Sequence, residues 1–156
     1  MKITLLIMGK TDSPWLKEAV KDYYNRIIHY FPFEITTISD IKNVKNLSEV
    51  QQKDKEGEAI LKNLQPGDYC VLLDEKGNEF TSVQFATYLE KKTHSIRRLV
   101  FIIGGPYGFS EAVYKVASEK ISLSKMTFSH QMIRLLFIEQ LYRACTIIHN
   151  EPYHHR

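Results

Sequence analysis

The sequence predicts an α/β fold with a mostly parallel sheet flanked by helices. Two observations carry that prediction. Short β-rich apolar runs alternate with helically spaced segments from one end of the chain to the other. Three of the runs then break into loops of unusual composition, which is where ligands bind in such folds. No internal repeat or linker divides the 156 residues, and one domain over residues 1–156 is expected.

The elements follow in order. Residues 2–8 form an apolar run closed by Gly9, a buried strand. Asp12-Ser13-Pro14 supplies a cap and a first-turn proline. Leu16, Val20, Tyr23, Tyr24, Ile27 and Ile28 then recur at helical spacing to about Tyr30. Residues 33–38 are a second strand. Residues 46–64 are highly charged and read as a solvated helix docking by its ends, with a break near Gly57. Pro66-Gly67-Asp68 is a turn before a short strand at 69–73. Ser82 caps a helix carrying Val83, Phe85, Ala86 and Leu89. Residues 99–103 are the most strand-like run of all and break into Gly104-Gly105-Pro106-Tyr107-Gly108. Ser110 caps a helix over 111–118, and 120–123 is a last short strand. A long helix at 130–149 places Met132, Ile133, Leu136, Phe137, Leu141 and Cys145 on its apolar face.

Composition narrows the class. The chain is 44% hydrophobic and 25% charged, as globular proteins are. Its formal charge of +3 is only mildly basic, so an anionic partner must be met by a local patch. Cys70 and Cys145 each sit in an apolar stretch, which suits a reducing compartment rather than a disulfide. The apolar N-terminus is too short for a signal peptide, and no run reaches bilayer length, so a cytoplasmic protein without membrane association is expected.

Three loops are candidates for chemistry: Leu72-Leu73-Asp74-Glu75-Lys76-Gly77, the glycine loop from Gly104 to Gly108, and Leu123-Ser124-Lys125-Met126-Thr127-Phe128. The glycine loop is either a tight strand-to-helix connection or a place where backbone approaches a ligand. It matches neither dinucleotide nor P-loop patterns. Ser124 and Thr127 either donate to a ligand or cap the next helix. On pattern alone, a flavodoxin-like domain with a phosphate cradle near Gly9 to Ser13 is the alternative.

Taken together, these loops and the C-terminus are more specific. Leu-Leu-Asp, Ile-Ile-Gly-Gly-Pro-x-Gly, Ser-Leu-Ser-x-Met-Thr, Leu-Tyr-Arg-Ala and Asn-x-Pro-Tyr-His occur in that order. Over the whole chain this resembles the ribosomal large subunit methyltransferase H group of the SPOUT (trefoil-knot) methyltransferases. The resemblance implies a C-terminal trefoil knot and a homodimer with the cofactor pocket near the subunit interface. It implies S-adenosylmethionine (AdoMet) as methyl donor, held by Leu73, Gly104, Gly105 and the loop Leu123, Ser124, Lys125, Met126, Thr127 and Phe128. It also implies methylation of N3 of a pseudouridine in large-subunit ribosomal RNA within the assembled ribosome. No metal is implied, because the methyl group is already activated by the positive sulfur. His149, His154 and His155 match no familiar ligand spacing.

Within that resemblance, Arg143, Tyr153 and His154 are the expected catalytic side chains, through proton exchange, base positioning and charge stabilisation. Lys125, Arg134, Arg143 and Arg156 are the expected RNA-facing patch. His130 either leads into the last helix or touches substrate, and the last helix lends its apolar face to the core or to a dimer. The chain ends Tyr153-His154-His155-Arg156 where the family pattern is Tyr-His-Arg, so either His155 or Arg156 takes the usual arginine place. A methyltransferase for another rRNA or tRNA position, or a ribosome-associated factor without catalysis, are the competing functions.

Overall fold

A computed structural model describes residues 1–155. Five strands form one sheet in the order β2-β1-β4-β3-β5, with β1 Lys2–Met8, β2 Phe33–Ile38, β3 Tyr69–Glu79, β4 Arg98–Ile103 and β5 Glu119–Ser122. Every neighbouring pair is parallel. The helices are α1 Pro14–Ile27, α2 Glu49–Lys62, α3 Ser82–Lys92, α4 Glu111–Val116 and α5 Met132–Ile148.

Side-chain alternation along β1 explains why helices cover both faces. Ile3, Leu5 and Ile7 join a core with Ile27 of α1, Phe85 and Leu89 of α3, and Phe137 and Leu141 of α5. Leu6 and Met8 point the other way, into a second core with Ile60 of α2 and Val113 of α4. On the first face the rings of Phe101 and Phe137 lie 4.8 Å apart, with Phe85 6.2 Å from Phe137. The apolar face of α5 is therefore core rather than a free interface. Met132 and Leu136, expected on that face, lie outside the core, and Met132 is exposed.

The structure departs from the sequence reading at several elements. β3 does not stop at Leu73. It continues to Glu79, and its pairing with β5 shifts register between Leu73 and Asn78, so the expected loop is an irregular stretch of strand. β5 starts one residue earlier, at Glu119. Thr81 rather than Ser82 caps α3, in a reciprocal capping box with Gln84. Helix α2 is unbroken and docks by its middle, through Glu56, Gly57 and Ile60, not by its ends. Gly57 is present for packing, because a Cβ there would fall inside van der Waals contact of Ser110 Oγ.

Arg134 is the largest fully buried side chain, at 1% exposure. Its Nη2 donates to the Met8 carbonyl at 2.6 Å, Nη1 to Thr11 Oγ1 at 3.1 Å and Nε to the His130 carbonyl at 3.1 Å. Burial lowers its pKa, against the pull of Asp12 and Asp40. The guanidinium thus ties the start of α5 to the carboxyl end of β1. The same ties, with Gln131 bonding Lys10 O and Asp12 N, use up the β1–α1 loop, and Gly9 is crowded by the Asp40 carboxylate. No phosphate cradle is left there, and the flavodoxin-like alternative falls.

Two substitutions test this packing. Gly57→Ala, which in an ordinary helix interior stabilises by about 1 kcal/mol, should instead lower the denaturant midpoint by overpacking worth about 1–3 kcal/mol. Arg134→Met should cost about 3 kcal/mol by stranding its buried acceptors, read as a fall in melting temperature. An unchanged melting temperature would show that the guanidinium is not holding α5.

Candidate methyl-donor cleft and C-terminal cluster

The carboxyl ends of β4 and β5 and the irregular middle of β3 enclose a cleft of about 580 Å³, a size suited to a small-molecule ligand. Leu73, Gly104, Gly105, Leu123, Ser124, Met126, Thr127 and Phe128 all line it. Lys125, expected with them, does not. Asp74, Glu75 and Lys76 of the first candidate loop and His130 line it too, as do Lys53 and Tyr114, which the sequence did not single out.

Each wall has a local reason. Gly105, Pro106, Tyr107 and Gly108 make a β-turn in which Gly108 N donates to Gly105 O at 3.2 Å. Gly108 has φ +82°. Gly104 is small for the loop's own closure rather than for a ligand: a Cβ there would meet the Phe109 ring at 3.1 Å and the Gly108 carbonyl at 3.3 Å. On the opposite wall, Ser124 Oγ accepts from Met126 N at 3.0 Å, and Ser122 Oγ donates to the Ser124 carbonyl at 2.8 Å. The side chain that bonds the first turn of α5 is Ser129, whose Oγ accepts from Met132 N at 3.1 Å. Ser124 and Thr127 are therefore not capping residues. Asp74 Oδ1 accepts from Lys76 N at 2.9 Å, and Oδ2 accepts the Tyr114 hydroxyl. Burial and that carboxylate push the Tyr114 hydroxyl well above its ordinary range, so it stays protonated.

Arg143, Tyr153 and His154 meet, but not at this cleft. Arg143 Nη2 donates to Glu139 Oε1 at 2.5 Å, and Nη1 lies 3.1 Å from His154 Nδ1. Tyr153 donates to the same Glu139 oxygen at 3.0 Å, stands 3.2 Å from the Tyr23 hydroxyl, and places its ring 4.9 Å beneath the Arg143 guanidinium. Glu139 is the hub, and it was not singled out from the sequence. Its spacing of four residues before Arg143 was the available signal.

The electrostatics favour particular charge states in the cluster. The Glu139 hydrogen bond holds the Arg143 guanidinium charged. Burial, the Tyr23 contact and the Glu139 bond raise Tyr153 far above its usual range, which makes it a donor and not a base. Arginine has no acceptor, so His154 Nδ1 must accept from Arg143 and the ring proton sits on Nε2. In this arrangement His154 presents a donor outward.

The tail is anchored rather than frayed. Asn150 adopts φ 56°, Glu151 N donates to Thr146 O at 2.9 Å, and Tyr30 donates to Glu151 Oε2 at 2.7 Å. His155 is exposed, and Arg156 lies outside the described residues. The expected basic patch does not form as such, since Arg134 is buried in structural bonds and Arg143 is paired with Glu139. Among the described residues no helix is long and apolar enough to cross a membrane. The cleft sits at the start of α5, and the cluster lies on its middle stretch from Glu139 to Arg143. Ile133 and Arg143 are ten positions apart, so about 15 Å of helix separates the two centres.

Comparison with known proteins places this geometry. The family model described as "Predicted SPOUT methyltransferase" matches residues 1–154. A protein of Parabacteroides distasonis is 74% identical over 156 residues, covering 99% of each chain. Proteins of Phocaeicola vulgatus and Bacteroides thetaiotaomicron are 60% and 58% identical over 156 residues, again with 99% of each chain covered. All three are named "Ribosomal RNA large subunit methyltransferase H". The chain therefore belongs to the SPOUT methyltransferase family, in its ribosomal RNA large subunit methyltransferase H group.

Proposed function

We propose that this protein transfers a methyl group from AdoMet to N3 of a pseudouridine in large-subunit ribosomal RNA, acting on the assembled ribosome in the cytoplasm. The observation that carries the reading is the cleft itself: eight of the nine residues that the family resemblance assigns to AdoMet line one cavity. The cleft also suits that ligand chemically. Residues of three loops line it, and Asp74 and Glu75 among them offer carboxylates to a ligand bearing a sulfonium and an ammonium. The trefoil knot of the family is part of this reading, since knot loops would form the walls.

Bound AdoMet would supply an electrophilic methyl group, so no metal is required. Leu73 and the 123–128 loop would hold the ligand, and Gly105 with the glycine turn would fix its pose. A pseudouridine N3 must lose its imide proton, and negative charge then develops on the flanking carbonyl oxygens. His154 Nε2–H and the charged Arg143 are suited to stabilise that charge. Tyr153 keeps both in place through Glu139 and its ring contact. His154 thus acts by donation, which revises the expectation that it assists proton loss.

Within one chain, about 15 Å of α5 lies between Ile133 at the cleft and Arg143 in the cluster. A homodimer closes that gap, with the tail of one protomer facing the cleft of its partner. The exposed apolar residues Met126, Phe128 and Met132 around the cleft mouth support such a contact.

The test is methyl transfer from labelled AdoMet with assembled ribosomes, isolated large subunits and naked rRNA side by side, followed by mapping of the label. Transfer chiefly to assembled ribosomes at a pseudouridine is expected. Donor binding without any rRNA labelling would remove the substrate assignment, and neither binding nor transfer would remove the enzyme. His154→Ala should lower kcat by about a hundredfold while leaving donor affinity unchanged, measured by titration calorimetry beside the transfer assay.

A further inference from the structure

Glu56 is a carboxyl group out of water with part of its hydrogen-bonding capacity unused. It sits in the middle of α2 at 5% exposure, and Oε1 has no partner among the described residues. Such a group costs stability unless something else justifies it. Burial raises its pKa, a hydrogen bond with Gln52 opposes that, and the nearby Asp40 carboxylate adds to it.

Its location gives the reason. A Cβ built on Gly105 would lie 2.6 Å from Glu56 Oε2 and 2.8 Å from Oε1, so the carboxyl lies flush against the backbone of the glycine loop. Gly105 in turn closes the turn by accepting from Gly108 N. The next residue of α2, Gly57, is pressed against Ser110, which caps α4 just beyond the loop. One turn of α2 therefore braces the glycine loop at both ends. Lys53, one turn earlier, already lines the cleft. Glu56 itself does not line it.

We propose that Glu56 is a positioning residue of the cleft, whose buried carboxyl props Gly105 and so fixes the loop backbone that receives the methyl donor. This rests on the reading of the cleft as the AdoMet site. Glu56 acts through Gly105 and not on the ligand. Its effect belongs to donor affinity and not to the rate at saturation. Gly105 does not adopt positive φ, and the three atoms that a Cβ there would meet first all belong to the Glu56 carboxyl.

The experiment is calorimetric titration of full-length protein with S-adenosylhomocysteine, the demethylated product, on wild type, E56Q, E56A, G105A and the E56A/G105A pair. Thermal melts confirm folding, and donor KM and kcat are measured alongside. E56A should weaken binding by about tenfold and raise donor KM without changing kcat. E56Q, of the same shape, should stay within about threefold of wild type. G105A should weaken binding by more than about tenfold alone, but by only about twofold in the E56A background, because the clash is gone. A purely structural glutamate would shift the melts without this coupling. Equal penalties for G105A in both backgrounds, or wild-type affinity in E56A, would overturn the inference. G105A alone decides the matter if E56A does not fold, since undiminished binding there also overturns it. Wild type that fails to bind removes the donor reading as well, whereas a wild type that binds with a flat Glu56 series removes only this inference.

Discussion

The buried guanidinium of Arg134 is the constraint on which the rest of this structure depends. Placing a charge at 1% exposure is expensive, and it is tolerated because two carbonyls and a hydroxyl meet it, with Asp12 and Asp40 nearby. Those acceptors come from the end of β1, the loop after it and the residue leading into α5. The bond set therefore fixes where the last helix begins, relative to the carboxyl edge of the sheet. Everything that follows in the chain is placed by that start.

A seventeen-residue helix then separates the cleft from the C-terminal cluster. Its beginning completes the wall of the cleft, where His130 and Ile133 stand among the loop residues. From its middle, Glu139 and Arg143 gather Tyr153 and His154. In the proposed function the cleft binds the donor and the cluster stabilises charge, so that neither is a complete site by itself. The division makes sense if two copies of the chain each lend one half, which is why the dimer is central to the function proposed here.

Much of this was legible in the sequence, and the gaps have physical causes. The bounds of β1 and β2 follow from apolar runs ended by a glycine or a charged turn, and β4 extends its run by only one residue, Arg98. β3 was read short because Asp74 to Glu79 carries no β-patterning; parallel pairing with β5 across a register shift holds it, and that is a tertiary effect. Gly57 suggested a break by propensity, whereas close approach to Ser110 is what selects glycine there. The loops of the cleft, Asp74 and Glu75 among them, were recognised through their motifs, whereas Lys53 was missed because a lysine in a highly charged helix looks like solvated surface. Arg134 misled for the same reason: an arginine in a helix ordinarily faces water, and only the fold shows the carbonyls waiting for it. Arg143 was found by motif, but its partner Glu139 was visible only as an i, i+4 charge.

The shared site is tested most directly by mixing two inactive variants. One carries a glycine loop that cannot close over the cleft, Gly104→Val, and the other a truncated tail ending at Glu151. Each alone should be inactive, and co-refolding equal amounts should restore about one quarter of wild-type methyl transfer, since half of the random dimers carry one cleft and one tail that are both intact. Recovery at that level means the tail of one protomer serves the cleft of its partner. No recovery, with mixed dimers shown to form, would contradict a site divided between two chains.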